Sequence, residues 1–174
     1  MLIYLDTMIV QYCVDYEEFV FGEITGHTAK CPVTELKLKQ ELWALRQLVF
    51  LDQLGDWVYA CPPHLLKELH AGKPTGEQRK VFALFSEAWE ESGWNEAFPL
   101  NSSEVARIER SLKVLNLRHS ADRRHLAEAI VLHASWFLTN DSEIITKCES
   151  KDLPLRVARP SECLDGISVG LFLR

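Results

Sequence analysis

Short apolar runs of strand length alternate with longer stretches of helical periodicity from one end of the 174-residue chain to the other. Residues 2–5, 57–61, 97–100, 136–139 and 155–158 read as strands, each short, largely apolar and flanked by Pro, Asn, Asp or Gly. The intervening segments read as helices. Residues 8–21 form one, with Asp15, Glu17 and Glu18 at its wet positions. Residues 35–52 form a second, where Leu38, Leu42, Leu45 and Val49 recur at helical spacing with Lys37, Lys39, Gln40 and Arg46 between them. Pro62-Pro63 opens a third, which carries Leu65, Leu66, Glu68 and Leu69 and stops at Gly72. Residues 76–91 form a fourth, and Asn101-Ser102-Ser103-Glu104 starts a fifth that runs to about residue 116. The next begins at Ser120 and sets Leu126, Ala129, Ile130 and His133 on one face, and a short helix ends near Cys148. Residues 22–33 and the Gly55-Asp56 pair read as loops. Strands alternating with helices imply one α/β domain with a mostly parallel central sheet and helices on both faces. The length suits a single domain over residues 1–174.

The net charge of −6 argues against a protein that coats nucleic acid through bulk charge, yet suits a site built from carboxylates around cations. No apolar run approaches the roughly 18 residues that cross a bilayer. The N-terminus has no basic segment and meets Asp6 at once, unlike a signal peptide, so a cytoplasmic protein with no membrane partner is expected. Five scattered cysteines without a Cys-x-x-Cys pair read as reduced, mostly buried thiols. The apolar tail, residues 167–173, is expected to pack as an edge element or to serve a contact with a second copy or a protein partner.

Four acids stand where a parallel sheet places ligands, at the carboxyl ends of its strands. Asp6 and Asp141 directly follow the strands at residues 2–5 and 136–139. Glu68 lies on the helix after the second strand, and Asp122 starts the helix that leads into 136–139. Such a cluster repels itself: two unit charges about 4 Å apart cost roughly 4 kcal/mol at an effective dielectric of 20. It must hold protons or bind a cation, and oxygen ligands select Mg2+ or Mn2+. Each acid also has a structural role open to it. Asp122 and Asp141 suit helix N-caps, Glu68 a solvated helix face, and Asp6 a strand-end hydrogen bond.

In order along the chain, Leu5-Asp6-Thr7, Lys67-Glu68-Leu69 before a glycine, Asp122-Arg123-Arg124-His125-Leu126-Ala127-Glu128-Ala129 and Leu138-Thr139-Asn140-Asp141 resemble the motifs of PIN-domain proteins. Arg159-Pro160-Ser161-Glu162-Cys163-Leu164 is similar to that family's closing strand and turn. The single-domain size most resembles the VapC-type toxins of toxin–antitoxin pairs. The resemblance implies a PIN-like fold and a metal-dependent endoribonuclease. In it Asp6, Glu68, Asp122 and Asp141 hold Mg2+ or Mn2+ and position water, Thr7 and Thr139 supply supporting hydroxyls, and Asn140 shapes the site. It further implies an RNA substrate, a small antitoxin partner and a homodimer. The stretch from Asp6 to Glu68 is longer than in compact members, so Glu35 and Glu41 compete for the second acid's place, and Glu143 stands where a further aspartate is expected.

Arg118, His119, Arg123 and Arg124 flank Asp122, either as contacts to RNA phosphates or as a solvated charge run. His125 is a general acid or a packing residue, and His133 reads as a core histidine. A dehalogenase-like phosphatase needs a second acid where Met8 stands, and a phosphorelay receiver needs its acceptor on a middle strand. The remaining alternative is a PIN-like module that binds RNA or protein without cutting.

Overall fold

In the computed structural model, which describes residues 1–22, 30–52 and 57–172, four parallel strands form one sheet in the order β2-β1-β3-β4. The strands are β1 (Leu2–Leu5), β2 (Val58–Ala60), β3 (Trp136–Leu138) and β4 (Arg156–Ala158). The register pairs Tyr4 with Ala60 on one side and with Phe137 on the other. All four residues of β1 are buried, as a central parallel strand covered on both faces requires.

Helices α1 (Thr7–Asp15), α2 (Glu17–Val20) and α3 (Leu36–Asp52) lie between β1 and β2. Helices α4 (Pro63–Ala71), α5 (Gly76–Glu91), α6 (Trp94–Ala97), α7 (Ser102–Ser111) and α8 (Ser120–Val131) follow β2, α9 (Ser142–Glu149) joins β3 to β4, and α10 (Pro160–Phe172) follows β4. Tyr4 and Phe137 stack at 5.4 Å on the face covered by α8, where the Tyr4 hydroxyl reaches His125 and Glu128. Trp136, one residue away, points to the opposite face, where α10 passes so closely that a Cβ on Gly166 would lie 2.8 Å from the indole. Helices therefore cover both faces, as expected of the α/β class.

Several local expectations are corrected. The helix expected over residues 8–21 is two, broken at Tyr16 (φ −123°, ψ 32°), and the break turns Phe19 and Val20 into the core. Residues 97–100 are not a strand. Gly93, at φ 65°, starts the short α6, Phe98 packs on Trp94 and His133, and Pro99 has no N–H for a ladder. The segment from Arg159 to Leu164 is not a strand and turn but the start of α10, with Pro160 in its first turn. The apolar tail is the continuation of that helix rather than an edge element, and Leu173 lies outside the described residues, as do 23–29 of the expected loop and Gly55-Asp56.

Two polar residues of α3 are buried against its neighbours. Arg46 donates to the Phe19 carbonyl and sits 5.3 Å from that ring's centre. Glu41 accepts from the Ser161 N–H at 3.0 Å and from its hydroxyl at 2.9 Å, capping α10. Glu41 is therefore a helix cap on the α10 side, and Glu35 is exposed at the start of α3. All five cysteines are free thiols and four are buried, as expected. Burial pushes Cys13, Cys61 and Cys163 up to about 12.

His133 is no core histidine: it is exposed, at φ 55°, just past the end of α8. There its N–H bonds to the Ile130 carbonyl at 3.0 Å, and the Ala134 N–H bonds to the Ala129 carbonyl at 2.9 Å. This pair of bonds is the Schellman arrangement, whose left-handed position favours glycine. His133→Gly is expected to stabilise the protein by about 0.5–1 kcal/mol in urea unfolding, less what the ring gains from Phe98. A loss of stability would show that the ring contact outweighs the backbone strain.

Candidate active site

The strand order reverses between β1 and β3. β1 leads to β2 on one side, while β3 lies on the other, and the carboxyl ends of these two central strands open the crevice where α/β sheets bind ligands. Asp6 leaves β1 there. Its backbone N–H still bonds to the Leu138 carbonyl at 2.9 Å, so the carboxylate is set by the sheet. Its Oδ1 accepts from the Thr7 N–H at 2.8 Å, capping α1, and its Oδ2 accepts from the Thr139 hydroxyl at 2.6 Å. Asp141 leaves β3 and caps α9, its Oδ1 accepting from the N–H groups of Glu143 (2.7 Å) and Ile144 (3.4 Å). The fully buried Thr139 hydroxyl accepts from the Asp141 N–H at 3.0 Å while donating to Asp6. One threonine thus ties together the two aspartates at the ends of adjacent strands. In the residue before Asp141, Asn140 Oδ1 is buried with no hydrogen-bond partner among the described residues.

Asp122 stands in the first turn of α8, half-buried, within electrostatic reach of both. Burial raises its pKa first, and the charges of Asp6 and Asp141 raise it further against the opposing pull of His119 and His125. Burial likewise raises Asp6, helped by Asp141 and opposed by the Thr139 bond, His125 and the Thr7 N–H. Asp6 and Asp122 are therefore both harder to ionise, first because of burial and then because each feels the charge of Asp141.

Glu68 sits on the other side of Thr7, whose hydroxyl donates to Glu68 Oε2 at 3.2 Å. Burial pushes Glu68 up, but His125, through a hydrogen bond and its charge, then His64 and Thr7, together hold it below the usual carboxylate value. His125 is 1% exposed and lies at the centre of this region. Its Nε2 meets Glu68 Oε2 at 2.7 Å, and its Nδ1 meets the Tyr4 hydroxyl at 2.8 Å. The Tyr4 hydroxyl also lies 3.0 Å from Glu128 Oε2, and Glu128 Oε1 accepts from Arg124 Nε at 2.8 Å. A phenol has one proton to donate. When it serves Glu128, the histidine ring must donate to the phenol through Nδ1, which leaves Nε2 as the nitrogen facing Glu68.

The basic residues flanking Asp122 separate by what they touch. Arg124 is tied to the buried Glu128 and lies 3.9 Å from Glu109, and Arg123 donates to the Leu117 carbonyl at 3.0 Å. The Arg118 side chain is exposed. Glu143 accepts from Lys147 Nζ at 2.9 Å and from the Arg118 N–H at 3.1 Å, so it is engaged away from the aspartates. The Lys147 bond, set against burial and joined by the Arg118 N–H, holds Glu143 below the usual range.

A separate cavity of about 650 Å3, walled by Leu5, Leu45, Leu48, Val81, Phe85 and Trp57, is lined mainly by apolar side chains. It lies on the sheet face opposite Tyr4, since Leu5 and Tyr4 alternate along β1. The chemistry-bearing groups gather instead at the strand ends.

No protein-family model, curated protein or solved structure matches this chain.

Sequence reasoning missed four participants in this region: Tyr4, His64, Glu128 and the central placement of His125. Two signals were there to be read. His64 and Glu68 are four apart on one helix, and Arg124 and Glu128 are four apart on another, so each pair shares a helix face.

Proposed function

We propose that the chain is a metal-dependent endoribonuclease that hydrolyses RNA phosphodiester bonds at the carboxyl ends of β1 and β3. The observation that carries this reading is the gathering of Asp6, Asp122 and Asp141 in one partly buried field at the strand-order reversal. Carboxylates that feel one another's charge in a partly buried region are held at a cost that a divalent cation removes, and an all-oxygen donor set suits Mg2+ or Mn2+. Asn140, next to Asp141 in the chain, has a buried Oδ1 with no partner among the described residues, which suits an oxygen ligand to the same ion or its water shell. Such an ion, when bound, supplies Lewis-acid charge to a phosphoryl oxygen and an activated water.

The chain's own residues hold and aim that centre. Thr139 fixes Asp6 relative to Asp141, Thr7 links Asp6 to Glu68, and the α1 and α9 N-termini orient the two strand-end acids. Arg118, exposed and paired only at 3.9 Å with Glu143, is the cation freest to take a phosphate, whereas Arg123 is held by the Leu117 carbonyl and Arg124 by Glu128. The toxin role, a small antitoxin and a homodimer rest on the sequence resemblance alone.

The deciding experiment incubates the purified chain with structured RNA and Mg2+ or Mn2+, beside EDTA and Asp6→Asn. Metal-dependent cleavage that falls at least about 1,000-fold in the variant is expected. RNA or protein binding without cleavage under any metal, unchanged in Asp6→Asn, would replace this reading with a binding module.

A further inference from the structure

The geometry points to a second cation site, made by His64, Glu68 and His125 and suited to a borderline transition metal, Zn2+ in the first instance. One donor atom from each residue lies within 4.8 Å of the others. His64 and Glu68 come from one face of α4, four residues apart, with His64 Nε2 3.8 Å from Glu68 Oε1. His125 comes from α8, with its Nε2 2.7 Å from Glu68 Oε2 and its ring centre 5.1 Å from that of His64. Two imidazoles and one carboxylate form the donor set of catalytic zinc sites, which keep a fourth position open. The oxygen-only set preferred by Mg2+ is a different one.

The surroundings are built as a metal-ligating histidine requires. Such a ring donates its second N–H to a carboxylate, carbonyl or comparable acceptor, which fixes the tautomer and aims the lone pair at the ion. His125 Nδ1 meets Tyr4 at 2.8 Å, and Tyr4 donates to Glu128. His64 Nδ1 is buried with no hydrogen-bond partner among the described residues, 3.8 Å from Glu128 Oε1. One buried carboxylate, Glu128, therefore stands behind both imidazoles, and Arg124 holds it in place. With that support, an entering cation takes the place between His125 Nε2 and Glu68 Oε2, and any proton held there is released to solvent.

This site is distinct from the cluster of Asp6, Asp122 and Asp141, to which Thr7 links it through Glu68, and it stands whether or not RNA is cut. The test is calorimetric titration of the metal-stripped full-length chain with Zn2+, run on the wild type, His64→Ala and Asp122→Asn. His64 is about one-third exposed and makes none of the hydrogen bonds of the Tyr4–Glu128 relay, so its removal spares the fold, which circular dichroism checks. One equivalent of Zn2+ is expected in the wild type, with affinity at least about 100-fold lower in His64→Ala and unchanged in Asp122→Asn. Excess Mg2+ is expected not to displace it, and Co2+ in its place should show the intense visible bands of a four-coordinate centre. Zn2+ binding that ignores His64→Ala, that is lost in Asp122→Asn, or that does not occur would overturn the inference.

Discussion

Asp122→Asn is expected to stop RNA cleavage while making the metal-free protein more stable. Among the described residues no hydrogen bond reaches the Asp122 carboxylate, so the amide gives up charge without giving up a partner. What it removes is a half-buried negative charge that faces Asp6 and Asp141. The same balance predicts an unusual pH dependence. Asp6 and Asp122 have folded values above those of the unfolded chain, so between the two the folded state binds more protons, and stability falls as pH rises through that interval. Glu68 acts the other way, because its folded value is lowered. Its contribution is present above the unfolded value and disappears as pH falls through the folded one. The metal-free wild type should therefore melt highest on the acid side of neutrality, above the range where Glu68 takes up its proton. At neutral pH, Mg2+ or Mn2+ at a hundredfold excess over Kd should add about 2.7 kcal/mol, and Asp122→Asn should lose most of that gain. Thermal unfolding with and without EDTA across pH decides the matter. A wild type that melts highest at neutral pH without metal, and whose stability ignores divalent ions, would mean that the aspartates do not share one field.

Asp6 was legible in the sequence because its position depends on local chemistry: an apolar strand ends, and an acid caps the helix that starts there. Asp141 follows the same rule at α9. The parallel sheet was legible for a related reason, since strands buried on both faces are written as unbroken apolar runs. Residues 97–100 carry a run of that kind and are no strand, because four apolar residues also suit a turn that packs against a helix end. Nothing local separates the two cases.

The rest depended on partners distant in the chain. His125 owes its surroundings to Tyr4, 121 residues away, and to Glu68, 57 away. On α8 alone it has the same spacing as a packing histidine. Arg46 and Glu41 fall among the polar positions of an amphipathic α3, yet both are buried, because α2 and α10 cover that helix on sides its own periodicity leaves open. Burial of a charged residue becomes readable only when the element that pairs with it is known, and here those elements are remote in sequence.

Glu128 is the residue whose loss should cost the fold most among the polar groups. It is 1% exposed, accepts from Arg124 and Tyr4, and faces His64. Removing it leaves the buried Tyr4 hydroxyl without its carboxylate and Arg124, about one-third exposed, with only Glu109 at 3.9 Å, at a cost near the low end of the roughly 3–5 kcal/mol of a fully buried pair. Against the roughly 5–15 kcal/mol that holds a typical domain together, Glu128→Ala should bring the protein close to unfolding at 37 °C. Glu128→Gln should cost less, about 1–3 kcal/mol, because its amide oxygen still accepts one bond while its NH2 meets the other donor. The Tyr4 hydroxyl then decides how much of this propagates. Without Glu128 its proton turns to His125 Nδ1, the ring donates from Nε2 to Glu68, and the lone pair that would meet a cation is withdrawn. A double-mutant cycle of Glu128→Gln with Tyr4→Phe, read by urea unfolding, should therefore return a coupling of about 0.5–3 kcal/mol. Glu128→Gln should weaken Zn2+ binding as well, although Glu128 is no ligand. Additive losses, or a Glu128→Ala cost under about 1 kcal/mol, would mean that Arg124 escapes to solvent and that the chain from Glu128 through Tyr4 to His125 carries no shared energy.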